Sequence, residues 1–246
     1  MKICHISDWH GNLMRLPPAD LYVVTGDMLP NFPLMRIMID KWRRDGTVTY
    51  DPFAPHSGPP PAGVYAGRIL DKKIETARQT EWCMQQPFRT EVGLSEDAPV
   101  LVVKGNHDFI PLSDWIGGDV WEVDQDPTRT TTLFGLKFGG VRGINYIRGE
   151  WADELYREEF DQRARGLPED LDVLLTHAPP SHILDSEAEQ IHYGTPALGS
   201  YISRRNYTPK PLQAHLFGHV HDANGTRKVG NTFFSNAATT TNIFDL

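Results

Sequence analysis

Ser7-Asp8-Trp9-His10-Gly11-Asn12 follows a short apolar run, Ile3 to Ile6, and sets a carboxylate and an imidazole two residues apart. At the C-terminal end of a buried strand such a pair can ligate a metal ion. Both side chains can turn to one point if the chain leaves the strand there, and Gly11 permits that turn. Asp-x-His triplets also arise by chance, and a solvated loop with a capping Asp explains this one equally well when it stands alone. The reading therefore depends on whether the rest of the chain supplies further ligands that could converge on it.

Four more strand ends carry ligand-type residues. Leu21 to Val24 ends in Thr25-Gly26-Asp27, and Pro99 introduces Val100 to Val103, which ends in Lys104-Gly105-Asn106-His107-Asp108. Leu171 to Leu175 runs into Thr176-His177-Ala178-Pro179-Pro180, and Gln213 to Phe217 ends in Gly218-His219-Val220-His221. Open α/β folds and sandwiches place their sites at such C-terminal strand ends. Singly, each block has a plain structural reading: His177 as a turn histidine, or Asn106-His107 as a turn in which Asn tolerates left-handed geometry. Five blocks in this order argue for a common site. Oxygen and nitrogen donors without thiolate suit Mn²⁺, Fe²⁺/³⁺, Zn²⁺ or Ni²⁺. The donors suffice for two ions sharing a carboxylate, about 3.5–4 Å apart as in two-metal hydrolytic sites.

The 246 residues are 39% hydrophobic and 23% charged, ordinary for a globular protein with a sizeable core. A formal net charge of −8 argues against extended binding along a nucleic-acid backbone. It leaves a mononucleotide or small phosphoester open, because metal ions supply positive charge locally. Cys4 and Cys83 are too few for a disulfide framework, and Cys4 reads as a buried free thiol. With no leader and no long apolar window, the expectation is a cytoplasmic protein with no membrane contact.

One domain is expected over 1–246, with a Pro/Gly-rich insertion at about 45–67 that reads as a lid or as a tolerated surface excursion. Helices are expected at Leu34 to Trp42, Arg68 to Gln86 and Glu150 to Arg165. Val120 to Val123, Thr130 to Phe134 and Leu136 to Val141 read as antiparallel strands, and the tail as a hairpin across Gly230-Asn231.

Asp8-x-His10, Gly26-Asp27, Gly105-Asn106-His107-Asp108, the His177 block and Gly218-His219-x-His221 together resemble the calcineurin-like metallophosphoesterase superfamily, over nearly the whole chain. The His177 block, the His219 block, Gly225 and Phe234-Ser235-Asn236-Ala237 are most similar to small metallophosphodiesterases of the MPPED type. The resemblance implies an α/β (α+β) metallophosphoesterase fold, a β-sandwich of two mixed sheets flanked by helices. It implies that Asp8, His10 and His221 hold one ion, that Asp27 bridges, and that Asn106, His177 and His219 hold the other. His107 would be the catalytic acid at the leaving-group oxygen, and would not be a ligand. The cofactors would be two divalent metal ions, Mn favoured, with Fe, Zn, Ni or Mg as alternatives. The reaction would be direct hydrolysis by in-line attack of activated water on a small phosphodiester, cyclic nucleotides among the candidates. Phosphomonoesterase, DNA nuclease and a non-catalytic metal-binding scaffold are the rivals.

One position departs from the pattern. In the protein-phosphatase branch an Asp three residues after the bridging Asp orients the catalytic histidine, and Pro30 stands there in this chain. Protein phosphatase activity is thereby disfavoured, and Asp108 is left either to orient His107 or to cap the next segment. Asn12 and Arg142 are candidate substrate contacts, with Trp9, Trp151, His182 and Tyr193 in neighbouring loops. Arg142 could bind a phosphate oxygen and an aromatic could stack on a base. For each of these six, core packing or surface pairing is the simpler reading. Oligomeric state is not legible.

Overall fold

Along β1 (Lys2–Ile6), Ile3 packs with Leu21, Val173 and Leu216 while Cys4 and Ile6 pack with Phe88, Leu112 and Trp115. Successive side chains of a strand point to opposite faces, so one face of this strand meets a second sheet and the other meets helices. That alternation organises the structure, a computed structural model that describes residues 1–30, 72–147, 151–187 and 191–246. The expected helix at Leu34 to Trp42 and the insertion at 45–67 lie outside the described residues.

The strands β2 (Leu21–Val24), β3 (Val100–Val102) and β4 (Val120–Glu122) follow β1 in space, all parallel, and β15 (Thr241–Asp245) adds to the other edge of β1 antiparallel. The second sheet runs β13 (Gly225–Val229), β14 (Thr232–Asn236), β12 (Ala214–Phe217), β9 (Val173–Thr176), β6 (Leu136–Val141) and β5 (Thr131–Leu133). Its four central strands are parallel and its two edges antiparallel. Two short ribbons complete the strands, β7 (Ile144–Asn145) with β8 (Glu154–Leu155) and β10 (Ser186–Glu187) with β11 (Ile191–His192).

Apolar side chains from the inner faces interdigitate: Ile3, Leu21, Val23, Leu101 and Val103 against Phe138, Val173, Leu175, Ala214 and Leu216. Each of these apart from Ala214 contributes about 1.5–3 kcal/mol by leaving water. Helices α1 (Lys72–Gln85), α2 (Phe88–Val92) and α3 (Leu112–Ile116) cover the outer face of the first sheet. Helices α4 (Arg157–Arg165) and α5 (Pro196–Arg205) cover the second through Phe160, Ala164, Leu198, Tyr201 and Ile202. The expected sandwich of two mixed sheets flanked by helices is the observed architecture.

Two local expectations need correction. Val120–Glu122 pairs parallel with β3 in the first sheet and not antiparallel with its chain neighbours. The charged helix starts at Arg157 because Glu154 is diverted: its carboxylate accepts the N–H groups of Ile147 and Trp151 at 2.8 and 2.9 Å while Leu155 pairs with β7. Local propensity yields there to tertiary pairing.

Candidate metal centre

The C-terminal ends of β1, β2, β3, β9 and β12 meet at one end of the sandwich. The turn after β1 lies on the turn after β2, with Asp8 N–H donating to Gly26 O at 2.9 Å and His10 N–H to Asp27 O at 3.0 Å. Contact this close needs residues without side chains. A Cβ at Gly105 would overlap the Asp27 carboxylate, and one at Gly218 would overlap Ser7 Oγ and Asp8 Oδ2. Asp8, His10, Asp27 and His219 themselves sit in the left-handed region, at φ of 57°, 46°, 53° and 73°. Each such residue costs on the order of 1–3 kcal/mol, and strain of this kind concentrates at functional sites.

Three groups of donor atoms result, each with its atoms within 4.8 Å of one another: Asp8, His10 and His221; His10, Asp27 and His107; Asp27, His177 and His219. Asp27 and His10 each belong to two of the groups. Asn106 Oδ1 is 3.1 Å from His177 Nε2, which is 3.2 Å from Asp27 Oδ2. All seven ligand-type residues read from the sequence are thus brought together. His107 also stands among them, its Nε2 3.7 Å from Asp27 Oδ2 and its ring 5.1 Å from that of His10.

The surrounding contacts aim these groups. His177 Nδ1 donates to Thr25 O at 2.6 Å, which turns Nε2 toward Asp27. Ser7 Oγ donates to Asp8 Oδ2 at 2.6 Å, and His219 N–H donates to the same oxygen at 2.8 Å. The other oxygen, Oδ1, is left to face His221 Nε2 at 3.3 Å. Burial pushes the Asp8 and Asp27 carboxyls up, but the cationic His177 beside them more than reverses this and holds both below the usual range. Burial would lower His177, yet the Asp27 and Asp8 carboxylates raise it to about 10. His107 is pushed down to about 3 and His219 to about 4, chiefly by burial.

Whether such a pocket suits metal ions can be judged from its own atoms. Buried His10 Nδ1 has no hydrogen-bond partner among the described residues, an expensive omission unless another ligand takes it. Hard oxygen and imidazole nitrogen donors without thiolate match borderline divalent cations. The residues fit.

Asp108 has neither of its expected roles. Its carboxylate accepts N–H groups from Asp27, Met28, Leu29 and Gly105 at 2.7, 3.0, 3.1 and 2.9 Å. It therefore pins the turn that carries Asp27 to the turn that carries Asn106. Burial and then the charge of Asp27 raise its pKa to about 6.

The candidate substrate contacts separate. Trp9 packs inward among Met28 and Leu29 and donates to Thr240 O at 3.4 Å, a core role. Asn12 is exposed in the turn after the cluster, its N–H on Trp9 O at 2.8 Å. Arg142 Nε lies 3.6 Å from Asp153 Oδ1 in an ion pair. Trp151 packs against the His107 ring with centroids 4.2 Å apart, and Tyr193 meets His219 edge-on at 6.2 Å. His182 instead meets His192 at 5.1 Å.

Residues 1–223 match the family described as calcineurin-like phosphoesterase. The chain belongs to that family. Its similarity to curated proteins is partial. It is 33% identical over 107 residues to a UPF0046 protein of Caenorhabditis elegans, an alignment covering 44% of this chain and 33% of that protein. It is 29% identical over 110 residues to human metallophosphoesterase domain-containing protein 1, covering 41% of this chain and 32% of the human one. The chain thus spans about a third of the length of the curated relatives it matches. Among solved structures it is similar to a Staphylococcus aureus protein assigned as a 5′-nucleotidase, with a TM-score of 0.48 and 11% identity over 98% of this chain and 50% of that one. No helix among the described residues is long and apolar enough to cross a membrane.

Proposed function

We propose that this chain is a dinuclear-metal phosphoesterase that hydrolyses small phosphodiesters. The observation that carries the reading is the overlap of three donor groups through His10 and Asp27 at five strand ends. Asp8, His10 and His221 hold one ion, Asn106, His177 and His219 the other, and Asp27 is shared; Mn²⁺ is the favoured metal. When bound, the two cations acidify a water molecule and neutralise phosphoryl charge.

The chain's own residues do the rest. Ser7 and the His219 N–H hold Asp8 in place, Thr25 O fixes the His177 tautomer, and Asp108 holds the shared carboxylate from behind. His107, with its ring against Trp151, delivers a proton to the departing alkoxide. The Asp27 carboxylate, 3.7 Å from His107 Nε2, favours that protonated form against burial. Pro30, where a carboxylate would orient His107 in a protein phosphatase, speaks against a protein phosphatase.

Hydrolysis of bis-p-nitrophenyl phosphate and p-nitrophenyl phosphate with added Mn²⁺ tests this reading. Faster turnover of the diester is expected, and faster turnover of the monoester sinks the preference. A panel of 2′,3′- and 3′,5′-cyclic nucleotides then narrows the substrate.

A further inference from the structure

We propose that Gln79 is the positioning residue of His107, holding its turn through the backbone in a chain that has no carboxylate at position 30. The inference rests on the phosphoesterase reading and on His107 acting at the leaving group.

Gln79 lies on α1 and is 1% exposed. Its Nε2 donates to His107 O at 2.6 Å and to Pro30 O at 3.3 Å, while its Oε1 accepts from Phe109 N–H at 2.7 Å. Both amide hydrogens and the carbonyl are used, so this buried side chain is satisfied by three backbone groups on two turns. One of those turns follows Asp27 and the other carries His107. The His107 backbone is gripped at both ends, its N–H by Asp27 Oδ1 at 2.7 Å and its C=O by Gln79. With the backbone fixed, Trp151 on one side and His10 on the other leave the imidazole little choice of rotamer.

Neutrality separates this device from a carboxylate partner. An Asp beside the ring would fix its direction and also raise its pKa, coupling placement to proton affinity. An amide that grips the main chain fixes placement without adding a charge to the one that Asp27 already sets 3.7 Å from the ring. Replacing Gln79 by an apolar residue would strand His107 O and Phe109 N–H without partners and free the turn to relax. A shift of about 1 Å in a catalytic group costs on the order of 100-fold in rate.

The test compares wild type, Gln79→Leu and His107→Ala on a phosphodiester with a p-nitrophenolate leaving group and on 3′,5′-cyclic AMP, whose leaving group is an alkoxide. Metal content is read by mass spectrometry, and the His107 ring by its imidazole NMR signals in the chelated protein. Gln79→Leu is expected to keep its ions, to shift or broaden the His107 signals, and to lose about 10- to 100-fold in kcat on the alkoxide substrate. Its loss on the nitrophenyl ester is expected to stay within about threefold, because that leaving group needs little protonation. Equal loss on both substrates, no loss on either, or departure of the ions overturns the assignment.

If Gln79→Leu does not fold, Gln79→Glu serves in its place. It keeps the acceptor for Phe109 N–H and removes the donors to His107 O and Pro30 O, so the same selective loss is expected, and wild-type alkoxide turnover overturns the proposal. The two levels of failure are distinguishable. A wild type inactive on both substrates removes the phosphoesterase reading. Selective loss in His107→Ala without it in Gln79→Leu removes the Gln79 role alone.

Discussion

Strands β1, β2 and β3 bring two buried carboxylates, Asp8 and Asp27, to the centre, together with Asn106, His10 and His107, whereas β9 and β12 bring three imidazoles, His177, His219 and His221. In the ion-free protein the two halves carry opposite charge. The carboxylates stay ionised, and burial lowers His10 and His107, so the first-sheet half is anionic. On the other side the Asp27 and Asp8 carboxylates overcome the burial of His177, and the hydrogen bond to Asp8 overcomes that of His221; both imidazoles are raised. Protons on the second sheet stand among the candidate metal donors, so metal uptake there would exchange one positive charge for another.

The largest effect is expected from Asp27→Asn, because Asp27 belongs to two of the three donor groups. Loss of both ions and a fall in kcat of at least about 10³-fold are expected, against loss of one ion in His219→Ala or His221→Ala. Metal analysis decides, and Asp27→Asn that retains both ions breaks the idea of a shared ligand.

The charge asymmetry has its own signature. His177 must give up its proton to bind metal, so apparent affinity should fall by up to about tenfold per pH unit as pH drops below about 10, with proton release measurable by calorimetry in two buffers. The sign reverses for the chelated fold. A raised imidazole pKa stabilises fully below about 6.5 and less as pH climbs to about 10, so the melting temperature should decline across that window. A flat calorimetric pH profile would show that the second-sheet half binds metal without proton exchange.

Ser7→Ala is expected to weaken the first-sheet half by about 10- to 100-fold in metal affinity, because Asp8 Oδ2 loses one of its two holders. Titration of the chelated protein with Mn²⁺ checks this, and an unchanged first step would assign Ser7 to packing alone. Arg142→Ala should matter least. Its pair with Asp153 is partly exposed and worth no more than about 1 kcal/mol, so KM should stay within a few-fold.

Much of this was legible because periodicity and punctuation agree. The runs Leu21–Val24 and Leu136–Val141 coincide with observed strands, and the five ligand blocks stand where strands stop. What an apolar run does not reveal is its partner. Val120–Glu122 reads the same whether it pairs with β3 or with its chain neighbours, and only the packed sheet decides. Side chains that act on the backbone are equally silent. Asp108 looks like a turn residue and Gln79 like any polar position on a mixed helix face, because their targets are N–H and C=O groups that every residue carries. Trp9, flanked by two candidate ligands in sequence, is turned into the core by the same left-handed bends that bring Asp8 and His10 to the centre.

Those bends have a consequence for how the protein can be improved. Four candidate ligand positions hold a backbone shape that glycine adopts freely and other residues resist. A selection for heat tolerance carried out in a chelator would be drawn to positions 10 and 219, since Asp8 and Asp27 hold the charge of His177, and every glycine recovered there would remove a candidate ligand. The same selection in Mn²⁺ would reject those glycines, because bound ions stabilise only the fold that keeps their ligands. Durability and activity pull apart at these two residues, and the ion decides which of them wins.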